Sequence, residues 1–167
     1  MHATAIPSTI PAQATGAADA HYLEPGFLTK HVFNRLVRRL TRMGLSVRGS
    51  RELRVRGRKT GEWRSNPVNL LTVEGVDYLV APRGTTQWVR NIRAAGGGEL
   101  RLGRKVTPFV IHEVADADKV GVLRPYLELW KAETGIFFDG LDAKASDAEF
   151  LAAAPKHPVF RVELPAA

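Results

Sequence analysis

The residues best equipped for chemistry are basic and lie beside glycines. Arg56, Arg58, Lys59 and Arg64 flank the turn Gly57-Arg-Lys-Thr-Gly61, and Arg83-Gly84-Thr85-Thr86 leads into a segment of helical character. A guanidinium fork fits phosphate oxygens, glycine lets the backbone approach an anion, and the free N–H groups at a helix start add partial positive charge. Together these describe a surface for a phosphate or carboxylate. On composition alone, a solvated hairpin tip accounts for the Gly57–Gly61 turn equally well.

Other chemistries are excluded or unsupported. The chain has no cysteine, which removes disulfides, thiolate zinc sites, iron–sulfur ligation and a cysteine nucleophile, and leaves the redox compartment undetermined. Ser8, Ser46, Ser50, Ser65 and Ser146 are the only serines, and none sits in a nucleophile elbow. His112-Glu113 lacks the second histidine of a zinc helix, so His112 reads as a packed or surface residue of a strand. Gly96-Gly97-Gly98 follows a helix and precedes a strand, the reverse of the order a dinucleotide fingerprint requires. No metal site and no catalytic side chain is expected.

The charge is concentrated. Net charge is +7, yet residues 30 to 64 hold 12 of the 24 Lys and Arg against only Glu52 and Glu62, a local +10. The basicity therefore belongs to one surface, which calls for an anionic partner: nucleic acid, an anionic membrane or a phosphorylated cofactor. No aromatic residue interleaves the basic ones from Arg35 to Arg58, as a single-strand binder would need, so nucleic acid is not the expected partner.

At 167 residues the chain suits one well-cored domain. Residues 1–26 read as a disordered tail without signal-peptide features, and residues 27–167 as the domain. No apolar run approaches the length of a membrane span. From Leu28 the apolar positions Val32, Phe33, Leu36, Val37, Leu40 and Met43 alternate with Lys30, Arg35, Arg38, Arg39 and Arg42 at helical spacing. This basic amphipathic helix is expected to pack on the domain, with peripheral membrane contact through residues 29–43 as the alternative.

Short strands follow. Leu53–Arg56, Val68–Val73 and Tyr78–Ala81 are β-type runs, Thr85–Ala94 a short helix capped by threonine, and Glu99–Leu102 and Val106–Val114 two strands joined at Gly103. Asp116–Ala132 reads as a helix, Asp147–Ala153 as a shorter one, and Pro158–Leu164 as the last strand. Many short strands with glycine turns and few helices predict an α+β protein built on a closed or partly closed antiparallel barrel with helical additions.

Order then adds what composition lacks. Gly57-Arg58-Lys59-Thr60-Gly61-x-x-Arg64-x-Asn66-Pro67, then Tyr78-Leu79-Val80-Ala81-x-Arg83-Gly84, then Trp88-x-x-Asn91-Ile92-x-Ala94 resembles the deazaflavin-dependent nitroreductase family, over about residues 27 to 113. His157-Pro158-Val159-Phe160-Arg161-Val162 is similar to that family's closing strand. The resemblance implies a split β-barrel related to flavin-mononucleotide-binding barrels, holding coenzyme F420 with its phosphate and glutamate tail on a basic groove. It assigns the phosphate and tail to Arg58, Lys59 and Arg64. Arg83 and Gly84, with the backbone of Thr86, Gln87 and Trp88, would line the deazaflavin ring; Pro67, Val68 and Asn69 would pass under it, and Asn91 would sit nearby. Thr60, Ala81 and Pro82 complete the implied cofactor set.

Trp88 reads equally as cofactor wall or as core aromatic. Asn69 stands where many members carry an aromatic residue and Pro82 where many carry serine, while Gly84–Trp88 is shorter than usual and lacks the customary His-Pro. Beyond Val114 the likeness gives out, so Tyr126, Trp130, Phe137 and Phe138 are core residues or substrate-side walls. Because no side chain carries a hydride, reduction falls to the cofactor and the protein orients it. The expectation is a cytoplasmic F420-dependent oxidoreductase that passes a hydride to a small organic acceptor such as a nitroaromatic, quinone or activated alkene. A non-catalytic barrel that binds cofactor, lipid or nucleic acid, and a relative using flavin mononucleotide (FMN), are the alternatives.

Overall fold

The structure is a computed structural model that describes residues 49–165. The tail at 1–26 and the basic helix expected over 28–43 lie outside these residues. Six strands form the frame: β1 (Ser50–Arg56), β2 (Trp63–Val73), β3 (Val76–Val80), β4 (Gly97–Leu102), β5 (Lys105–Glu113) and β6 (Val159–Glu163). They close into an antiparallel barrel in the order β1-β2-β3-β6-β5-β4. β1 pairs on one side with β2 (Leu53 opposite Asn66) and on the other with β4 (Leu53 opposite Leu100).

Strand pleating sorts side chains between two apolar layers, because neighbours along a strand point to opposite faces. Leu53, Val55, Val68, Leu79, Leu100, Phe109, Phe160 and Val162 fill the barrel interior. Helix α1 (Gln87–Ala95) inserts Val89 and Ile92 into the same cluster and so stoppers one end. Leu71, Val80 and Val159 point outward and meet Val122, Leu123, Tyr126, Leu127 and Trp130 of α2 (Val120–Thr134), with Phe150 of α3 (Asp147–Ala153).

The barrel agrees with the expectation from strand lengths; several element bounds differ. β2 extends back to Trp63, because the strand pairs with β1 down to Arg56. Helix α1 begins at Gln87 with Thr86 as N-cap, not at Thr85. The segment expected as one helix from Asp116 divides into a 3-10 turn, Asp116–Asp118, and α2. Lys119 sits between them with its ammonium buried against the Asp116 carboxylate and the Ala154 carbonyl (3.0 Å). The glycine triplet also has two uses. Gly96 ends α1 in the left-handed region at φ 71°, while Gly97 and Gly98 belong to β4, where a Cβ would fall 2.2 Å from the Phe109 carbonyl oxygen and 2.5 Å from that of Arg54.

Candidate functional site

The β1–β2 hairpin closes on itself at its tip. Gly57 N–H donates to the Glu62 carbonyl (2.8 Å) and Gly61 N–H to the Gly57 carbonyl (2.7 Å), with Gly61 at φ 69°. At its base the guanidiniums of Arg54 and Arg56 lie over the Trp63 ring, 4.8 and 4.1 Å from its centroid. Lys59 and Thr60 project into solvent, and among the described residues Lys59 pairs with no acid. Arg64 is exposed and partnered by Glu62 at 3.0 Å.

Arg58 ties this tip to α1. Its Nη1 donates to Gln87 Oε1 and to Asn91 Oδ1, both at 2.9 Å, and its backbone N–H donates to the same Asn91 oxygen at 3.3 Å. Gln87 and Asn91 are one helical turn apart and share a face. The hairpin tip and the Gln87–Asn91 face of α1, far apart in sequence, thus share one surface.

The approach to α1 is a compact loop. Ala81 N–H donates to Pro158 O (2.9 Å), Gly84 N–H to Ala81 O (3.0 Å) at φ 76°, and Thr86 N–H to Gly84 O (2.8 Å). His157 Nδ1 lies 3.0 Å from the Pro82 carbonyl, while its ring stacks on Phe138 at 4.0 Å. The Arg83 guanidinium sits 5.8 Å from the Phe137 ring. Thr86 makes no capping bond, and its buried hydroxyl oxygen has no partner among the described residues. A buried unsatisfied hydroxyl at a helix start with no acid in its first turn suits an anionic or polar ligand.

The structure separates some implied residues from this surface. Val68 directs its side chain into the barrel interior, because the pleat alternates it with outward-facing Pro67 and Asn69, and Ala81, just past the end of β3, joins the same interior cluster. Asn69 is turned toward α2 and hydrogen-bonds the buried Tyr126 hydroxyl. Burial pushes the Tyr126 phenol up from its ordinary value, and the bonds from Thr134 and Asn69 act in the opposite direction. Trp88 is half-buried and packs edge-on against Phe160, 5.9 Å between centroids, so the core role is met. Tyr126 and Phe138 are core; Trp130, though buried, also borders a cleft of about 380 Å³ lined by Gly49, Leu70, Leu71, Thr72, Glu128 and Leu129.

Three contributions were not read from the sequence. The Gln87 side chain, rather than its backbone, holds Arg58; Trp63 underlies two arginines; and His157 steadies the Pro82 carbonyl. The histidine of the closing His-Pro strand was the available signal for the last.

A structure described as a domain-swapped dimer is similar over 82% of this chain and 100% of that one, at 20% identity and a TM-score of 0.51, which shows the fold. An F420-H2 dependent reductase is 21% identical over 70% of this chain and 95% of that one, TM-score 0.49. General Stress Protein 26 from Bacillus anthracis is 14% identical over 78% and 89%, TM-score 0.46. Among curated proteins none matches. The family model described as F420H(2)-dependent quinone reductase matches residues 31–133, spanning the hairpin, the loop before α1 and all of α1. The chain belongs to that family of oxidoreductases, whose cofactor is coenzyme F420.

Proposed function

We infer that the hairpin tip and the entry to α1 seat the phosphate and carboxylate tail of coenzyme F420, and that the chain reduces quinones and, beyond them, nitroaromatics or activated alkenes. The observation that carries this reading is the Arg58 link, which places the hairpin cations beside the start of α1. Lys59 and the remaining N–H groups of Arg58 would hold the tail anions, with Arg64 at the hairpin's flank. Gly84, the Thr86 hydroxyl and the first N–H groups of α1 would meet the polar edge of the ring. When bound, a reduced deazaflavin supplies a hydride, because carbon replaces the ring nitrogen that lets flavins pass single electrons. The chain's own task is positional: to neutralise the tail, fix the ring and admit the acceptor. Residues 27–167 would act together as this domain, with 1–26 as its tail.

Titration with oxidised F420 is expected to quench its fluorescence at micromolar protein. Binding of FMN in preference to F420 would sink the cofactor seat as drawn. Arg58→Glu with Lys59→Glu reverses two charges and is expected to weaken binding by at least about a hundredfold, since each charged contact is worth roughly 1.5 to 3 kcal/mol. Menadione and a nitroaromatic, added separately to protein loaded with reduced F420, test the acceptor range by reoxidation of the cofactor. Reoxidation by menadione alone would confine the activity to quinones.

A further inference from the structure

The hold of the hairpin on α1 rests largely on one oxygen. Asn91 Oδ1 accepts both from the Arg58 backbone N–H and from its Nη1, at 3.3 and 2.9 Å. Asn91 is 7% exposed, whereas its companion acceptor Gln87 is exposed. The other bonds of the tip close the hairpin on itself, at Gly57, Gly61 and between Arg56 and the Gly61 carbonyl (3.0 Å). They fix its shape without fixing where it stands against the helix. Both acceptors are neutral amides, so Arg58 is oriented while keeping its full charge; Arg64, by contrast, faces the Glu62 carboxylate.

We propose that Asn91 is a positioning residue for cofactor binding: it sets the Arg58–Lys59 tip at the reach of the tail and touches no cofactor atom itself. This rests on the F420 reading above and assigns one residue's part in it. A side chain there must be short enough to remain under the tip, must accept two hydrogen bonds and must bring no negative charge. Asparagine meets all three conditions. Gln87, exposed and reaching the same Nη1, supplies the lesser part.

The test uses the full chain, coenzyme F420, and the deazaflavin that lacks phosphate and glutamates. Asn91→Leu is expected to weaken F420 by about tenfold, the equivalent of one charge-assisted hydrogen bond, while the tail-less deazaflavin binds within about twofold of wild type. Amide exchange at Arg58 in the cofactor-free protein should accelerate in Asn91→Leu and remain slow in Asn91→Asp, which keeps an acceptor oxygen. Gln87→Ala, at an exposed site that does not threaten folding, should cost about threefold for F420 only. Equal weakening of both ligands would overturn the proposal in favour of a general structural role. So would accelerated Arg58 exchange in Asn91→Leu with F420 affinity unchanged, or no loss in Gln87→Ala. Wild-type protein that binds neither ligand would overturn the cofactor reading itself, whereas these variant outcomes remove only the positioning role.

Discussion

Tyr126 shows how a residue in the candidate region can belong to the frame. Its hydroxyl is buried between Asn69 on β2 and Thr134 at the end of α2, and Thr134 Oγ1 in turn donates to the Trp130 carbonyl at 2.9 Å. Tyr126→Phe leaves Asn69 without this partner and is expected to cost about 1 kcal/mol at neutral pH. The pH dependence follows from burial. The folded phenol stays neutral above the ordinary value of about 10, whereas the unfolded phenol ionises there. Stability from this group is therefore full below about pH 10 and lost as pH rises toward the higher folded value. Melting wild type and Tyr126→Phe at pH 8 and pH 11 should show the gap between them narrowing at pH 11; a widening gap would contradict the assignment. The sequence marked Asn69 as a departure from its family's aromatic, but its partner was illegible. Strand pleating tells which face Asn69 takes, and no local rule says which helix lies across that face.

Elements are held by local chemistry that a short pattern reveals once its ends are known. Helix α3 starts with a capping box: Ser146 Oγ accepts from the Glu149 N–H, and the Glu149 carboxylate accepts from the Ser146 N–H at 2.8 Å and its hydroxyl at 2.7 Å. Ser146→Ala should cost about 1 kcal/mol and lower Tm by roughly 2 to 4 °C. The Ser146 hydroxyl and N–H hold the Glu149 carboxyl below its usual range. A depressed folded value means stability present above the ordinary value of 4.5 and lost as pH falls through the folded one. Glu149→Gln should thus melt below wild type at pH 7 and approach it at pH 3, and a gap that persists in acid would remove the carboxylate from the cap. Strand positions were legible because β-branched runs and glycine turns are local signals. Their bounds were not, since the start of β2 at Trp63 and of β4 at Gly97 is decided by pairing with β1 and β5. Gly97→Ala should accordingly behave as a close-approach defect, destabilising by more than the usual strand propensity range of about 1 kcal/mol, because the added methyl meets backbone 2.2 Å away.

At the scale of the molecule, closure was the least legible feature. β6, last in the chain, enters between β3 and β5, and β4 returns to β1, so the three junctions that seal the barrel join strands distant in sequence. The basic surface was visible as a charge excess and its placement against α1 was not, because Arg58 meets Gln87 and Asn91 only after β1 and β4 have brought α1 over the barrel end. This architecture separates stability from binding in a way that can be measured. Leu53 and Leu123 are each 0% exposed, one in the barrel-interior cluster that also holds Val89 and Ile92 of α1, the other in the outer layer between α2 and the barrel. Truncating either to alanine should cost about 2 to 5 kcal/mol by removing packed methyl groups and leaving a cavity. Their effects on F420 affinity should differ. The cavity at Leu53 lies in the cluster shared with the helix that carries Asn91 and Gln87, so a shift of α1 moves the acceptors of Arg58. The cavity at Leu123 lies where no hairpin contact is carried. Denaturant titrations should show comparable losses for the two variants, and fluorescence titrations should show weakened F420 binding for Leu53→Ala with near wild-type binding for Leu123→Ala. Equal binding losses would mean that both layers move as one body and that α1 has no separate part in placing the hairpin.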